Sequence, residues 1–191
     1  KEGVEFRRIS PRDVFLHLLT IITLYASAAS FVTLLFQYVS ILIPDPLFSE
    51  GGYHPSYRGP LRFAVSSLIV VFPIFLVVSW FLNNVYVREP ERREARLRKW
   101  LVYFTVFASA LIMIGDLVAL VYNFLGGEIT LRFVLKALSL LFTVGAIFWY
   151  YLMDIRRGGP MASMKGFVWS VSVVVGIAVI GAFFLVGSPK E

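Results

Sequence analysis

The chain reads as five long apolar runs separated by short polar breaks, and the breaks hold most of its charge. A bilayer hydrocarbon core about 30 Å thick takes roughly 20 apolar residues in helical form, so each run is long enough to cross it. The first span, 14–43, carries no formal charge. Ser10 suits the N-cap, Pro11 the first helical position, and Asp13 the capping arrangement that follows. Pro44-Asp45-Pro46 stops the span, because two donors are lost and helix is disfavoured before each proline. The length of the run, and the missing small-residue cleavage pattern after it, speak against a cleaved signal peptide. A loop over 47–60, rich in Gly, Pro, Ser and Tyr, leads to the second span, 63–87, where Pro73 is expected to kink the helix. Residues 88–99 mix Glu91 and Glu94 with six basic residues, and with Pro90 in the first turn they read as a wet helical extension. The third span is 100–125, closed by a tight turn at Gly126-Gly127. The fourth is 129–153, and a connector over 154–160 leads to the fifth, 166–187. No internal repeat is visible. The expected fold is all-α: a single membrane domain, 1–191, with five transmembrane helices.

Composition narrows the class in the same direction. Hydrophobic residues make up 58% and charged residues 16% of the 191, against about 45–50% and about 25% in soluble domains. A core of this size cannot hide such a surplus from water, so a soluble globule, a disordered chain and a disulfide-built secreted module are excluded. With no cysteine there is no disulfide framework, thiolate metal site or cysteine nucleophile. The net charge of +6 raises a nucleic-acid reading, but its distribution explains it better. Thirteen basic residues fall on the side of the N-terminus, in the segment before the first span, in 88–99 and at Arg156, Arg157 and Lys165. The other side holds Arg58, Arg62 and Lys190. By the positive-inside rule the chain runs N-in to C-out, and its partners are membrane lipids with anionic headgroups rather than nucleic acid. Trp80, Trp100, Trp149 and Trp169 all fall near the same interface, as an aromatic belt does.

Three formal charges lie inside the spans: Asp116 in the third, and Arg132 and Lys136 in the fourth. Such a charge costs roughly 2.5–3.5 kcal/mol on insertion scales and is normally held by a partner. Counting residues from the Gly126-Gly127 turn places Asp116 and Lys136 roughly 14–15 Å from it, which predicts an ion pair across the hairpin. Arg132, nearer the surface, can snorkel and pair with Glu128. Asn123, Asp116, Ser109 and Thr105 share one stripe of the third span, and Arg132, Lys136, Ser139 and Thr143 one stripe of the fourth. The first span adds Thr23, Ser30 and Gln37, with Thr20 and Ser27 beside them. Three polar seams that converge make a hydrated pathway or mid-membrane cavity lined by Ser109, Ser139, Thr143, Ser30 and Gln37. The same residues also suit dry helix contacts, where small side chains pack closely and hydroxyls bond to backbone. Ala26-Ser30, Ser172-Gly176 and Ala178-Ala182 are small-xxx-small pairs fit for packing within the fold or in a homo-oligomer. His17 and His54 stand apart from any carboxylate pair, so no haem or metal site and no cofactor is expected.

The strings Ser10-Pro11-Arg12-Asp13-Val14-Phe15, Phe72-Pro73-Ile74-Phe75, Gly115-Asp116-Leu117, Tyr122 to Glu128 and Leu131-Arg132-Phe133, with Lys136 and Tyr150-Tyr151 before Asp154, resemble a bacterial integral-membrane family catalogued as a domain of unknown function (DUF5671), common in candidate-phyla bacteria. The resemblance covers roughly 10–157 and implies a bacterial inner-membrane protein without implying an activity. The layout of an acid in the third span and bases in the fourth is also similar to a voltage sensor, but Arg132 and Lys136 are four apart and no third base follows. A Schiff base on Lys136 with Asp116 as counter-ion is chemically conceivable, but five spans do not match the seven of rhodopsins. The favoured expectation is a small channel or transporter built around the Asp116/Lys136 site. The alternative is a non-transporting scaffold or accessory subunit in which that pair only locks the hairpin. No enzyme is expected, for want of a metal-ligand cluster, paired carboxylates at one depth or a nucleophile beside a base.

Overall fold

The computed structural model describes residues 10–43, 58–88, 96–127, 130–157 and 164–187. It is all-helical over these residues: α1 (Pro11–Leu42), α2 (Arg58–Arg88), α3 (Arg96–Leu125), α4 (Leu131–Arg157) and α5 (Met164–Gly187). Each is long and apolar enough to cross a membrane, and the chain is a multi-pass membrane protein.

The helix ends follow local chemistry, with instructive departures. Pro11 opens α1 with Ser10 at the N-cap, but the Ser10 side chain makes no capping hydrogen bond. The Ser10 carbonyl alone starts the ladder, accepting from the amides of Asp13 and Val14 at 2.9 and 3.2 Å. Helix α2 begins five residues before the expected Phe63, since Pro60 in its first turn costs no needed donor. Pro73 sits inside α2, which continues through it to Arg88. The helical start read at Pro90 and the stop at Pro44-Asp45-Pro46 lie outside the described residues. At the far end of α3, Gly127 takes φ 71°, a conformation that favours glycine. The Gly126 and Gly127 amides bond back to the Tyr122 and Phe124 carbonyls at 3.1 Å each, a C-terminal cap. Two boundaries matter for the site. Helix α4 starts at Leu131 rather than Ile129, because Thr130 caps it: its hydroxyl accepts from the Phe133 amide at 3.2 Å. The same helix runs on to Arg157, so Asp154 and Arg156 belong to its last turns and not to a connector.

Helix α1 is the spine. It packs against α2 on one side and α4 on another, while α3 lies against α4 and α5 against α2. One core cluster joins Phe31 and Leu34 of α1 to Leu61, Ala64, Val65 and Leu68 of α2 and Val175 and Ala182 of α5. A second joins Leu24, Val102 and Tyr151 of α1, α3 and α4. Leu34, Ala64 and Ala182 have no exposed surface. The Ala178-Ala182 pair therefore packs within the fold. Small residues at the contacts fit the physics of association in lipid, where close packing and hydrogen bonds hold helices together. The outward faces carry Phe104, Phe107, Ile114, Val118, Phe142 and Phe183, all exposed, as helices facing acyl chains require.

Candidate functional site

The intramembrane Asp/Lys site expected from the hairpin is not formed. No ion pair joins Asp116 to Lys136 among the described residues, where Arg98–Asp154 is the described pair. The reason is register. Asp116 lies nine residues from the end of α3 at Leu125, but Lys136 lies only five from the start of α4 at Leu131, which offsets them by roughly 6 Å in depth. A contact elsewhere in the hairpin fixes the same register: a Cβ at Gly145 would stand 3.8 Å from Met113 Sδ. Lys136 turns instead toward α1, with Nζ 5.7 Å from the Phe36 ring centroid, a cation–π contact. Asp116 is half-buried on α3. Arg132 is half-buried in the first turn of α4; the Glu128 partner read for it lies outside the described residues.

The seams of α3 and α4 resolve into local hydrogen bonds, whereas the buried Ser27 hydroxyl of α1 has no partner among the described residues. Ser109 donates to the Thr105 carbonyl (2.7 Å), Ser139 to Leu135 (2.7 Å), Thr143 to Ser139 (2.9 Å) and the Asn123 amide to Ala119 (2.8 Å). Thr20 and Thr23 likewise bond one turn back in α1. A hydroxyl whose proton is given to its own helix is satisfied without a water file. Ser30 is buried in α1 and Gln37 half-buried. If Asp116 and Lys136 are independent, the stability changes of Asp116→Asn and Lys136→Met add to within about 0.5 kcal/mol in the double variant. Coupling well above that in a thermal-inactivation cycle would restore the hairpin pair.

The structure places its strongest polar cluster at the other end of the bundle, where α1 begins, α2 ends, α3 begins and α4 ends. His17 of α1 is buried. Its Nδ1 lies 2.6 Å from the Asp13 carbonyl, which makes it the donor there; Nε2 lies 2.5 Å from the Tyr86 hydroxyl of α2. With Nδ1 protonated in the neutral ring, Nε2 accepts from Tyr86. The Tyr86 ring lies under the Arg98 guanidinium of α3, 5.0 Å from carbon to centroid. Arg98 Nη2 donates to Asp154 Oδ2 of α4, with both side chains mostly buried. Tyr150 stacks on Phe167 of α5 at 5.4 Å and meets Tyr151 edge-on at 5.1 Å. Four helices are thus tied through one His–Tyr–Arg–Asp chain.

Deeper polar ties run from α1 to other helices through tyrosines. Tyr25 and Thr105 share a hydrogen bond of 2.9 Å to α3, and the Tyr38 hydroxyl donates to the Ala178 carbonyl of α5. Sequence reasoning missed the four-helix cluster because its members sit in four separate segments, and because Asp154 was read as part of a connector. The signal was present: on a continued fourth helix, Tyr150, Tyr151 and Asp154 share one face.

Among the described residues no group of three or more His, Asp or Glu could hold a metal ion. The clefts at this end are small. One of about 260 Å³ lies between α1 and α2, and one of about 140 Å³ lies beside Trp149 and Arg156 of α4.

No curated protein and no solved structure matches the chain. Residues 13–151, which run from the start of the spine helix through the tyrosine pair of α4, match the family described as Domain of unknown function (DUF5671), and the chain belongs to that family.

Proposed function

We propose that this is a non-transporting scaffold or accessory subunit of the bacterial inner membrane, with the His17–Tyr86–Arg98–Asp154 end of the bundle toward the cytoplasm. The basic bias of the breaks at that end supports the orientation. The observation that carries the reading is the Arg98–Asp154 pair and its links through Tyr86 to His17. A proton relay needs members that both take and give a proton at working pH. Arg98 keeps its charge and has no acceptor, so it interrupts any such chain and acts as a clamp. The Ser109, Ser139 and Thr143 hydroxyls of the expected pathway, given back to their own helices, favour the same reading. No enzymatic role is proposed.

Purified protein in liposomes is expected to pass K⁺, Na⁺ and H⁺ at the rate of protein-free vesicles. A flux above that background, abolished by Asp116→Asn, would overturn the scaffold reading. A second reading has one observation in its favour: Asp116 is an acid inside a span without its expected basic partner. A transporter assembled from several copies, with Asp116 facing the shared interior, accounts for it, and the same flux assay decides between them.

A further inference from the structure

Between the first turns of α1 and the last turns of α2 runs a groove of about 260 Å³. Its walls are apolar, formed by Leu16, Phe81, Leu82 and Val85, while Arg12 and Arg88 stand toward the helix ends. Asp13 is the acid among its lining residues. The Arg12 guanidinium lies over the Phe81 ring at 5.5 Å, so its stem is laid along the wall. Among the described residues no carboxylate forms an ion pair with either arginine. From Arg88 down to Phe81 the groove spans roughly 10 Å along the helix, and Trp80, next to Phe81, is exposed as an interfacial tryptophan is.

An apolar slot with Arg88 at its mouth and the Arg12 guanidinium laid along its wall, at the level where headgroup gives way to acyl chain, matches one kind of molecule. We propose that this groove is a specific site for an anionic phospholipid. Its phosphodiester is held between Arg12 and Arg88, and the upper part of one acyl chain lies along Leu16, Phe81 and Val85. Guanidinium forks suit phosphate oxygens, and basic pockets between transmembrane helices are known receptors for anionic headgroups. A soluble phosphate gains nothing from the apolar walls, which is why a lipid is the occupant assigned. The proposal rests on this end of the bundle lying at the headgroup level. It is independent of flux, so a transporter with this lipid site and a scaffold without it are both distinguishable outcomes.

The test uses the full chain in nanodiscs and measures the preference for spin-labelled phosphatidylglycerol over phosphatidylcholine. The wild-type protein is expected to prefer phosphatidylglycerol. Arg12→Gln and Arg88→Gln are expected to lower that preference roughly fivefold each, and the double variant about 25-fold. Arg12→Lys with Arg88→Lys keeps most of it, which separates charge from folding. Val85→Trp, which leaves both charges and fills the slot, loses it. Arg156→Gln, at the smaller cleft, leaves it within about twofold. Three results would overturn the site: an unchanged preference in the double Gln variant, full competition by the tail-free glycerophosphoglycerol headgroup, or efficient disulfide cross-linking of two copies through Val85→Cys in this cysteine-free chain.

Discussion

Replacing Arg98 with methionine is expected to lower stability by about 3 kcal/mol, the cost of taking away the guanidinium that faces a mostly buried carboxylate. The Arg98 and Asp154 side chains are only 17% and 12% exposed, so water compensates neither charge fully. The Arg98 guanidinium also covers the Tyr86 ring, and the same change strips that contact and loosens the hold of α2 on α3. Asp154→Asn is expected to cost less, since an amide still accepts one hydrogen bond. Arg98→Met with Asp154→Leu should recover more than half of the loss, because removing both charges removes the desolvation problem itself. Thermal inactivation in detergent, read by retention of the monodisperse protein, measures all three. Single variants that each lose under about 1 kcal/mol would show a solvent-exposed pair of the kind that contributes little, and the clamp would have to be abandoned.

The second large effect is expected at Gly181. A Cβ there lands 2.9 Å from the Tyr38 hydroxyl, which donates to the Ala178 carbonyl one turn earlier in α5. Gly181→Val therefore displaces the tyrosine, breaks its bond to α5 and pushes that helix off α1, at an expected cost of about 2–3 kcal/mol. Tyr38→Phe alone should cost about 1 kcal/mol, the usual net worth of one hydrogen bond. Combined with Gly181→Ala, it should give a smaller loss than the two separate changes sum to, since the ring without its hydroxyl no longer collides. A strictly additive cycle would mean that the Tyr38 bond to Ala178 survives Gly181→Ala intact, so that the added methyl and the hydroxyl do not collide.

The architecture was readable because lipid imposes a strong rule. Five apolar runs bounded by proline, glycine and charge can only be spanning helices, and each expected span coincides with one of α1 to α5. The Gly126-Gly127 turn was readable for the same kind of reason, since a positive φ at Gly127 needs a residue without a side chain. The site was not readable, and two small boundary shifts account for much of that. Thr130, a good N-cap in view, delays α4 by two residues and removes the Asp116–Lys136 pairing that residue counting predicted. The continuation of α4 to Arg157 converts Asp154 from a loop residue into the partner of Arg98. Helical periodicity assigns faces within one helix, but not which helix lies opposite. That choice came from tertiary packing, which put His17, Tyr86, Arg98 and Asp154 at one end from four separate segments.

All four tryptophans belong to the half of the bundle that carries this clamp, at Trp80, Trp100, Trp149 and Trp169, and all are exposed. Indole rings resist leaving the water–hydrocarbon boundary, so the molecule is moored to one leaflet on four of its five helices. Hydrophobic mismatch is therefore not shared equally between the two surfaces. When the membrane thickens or thins, the moored surface keeps its position, and the opposite rim, around the α3–α4 hairpin tip, sinks or protrudes.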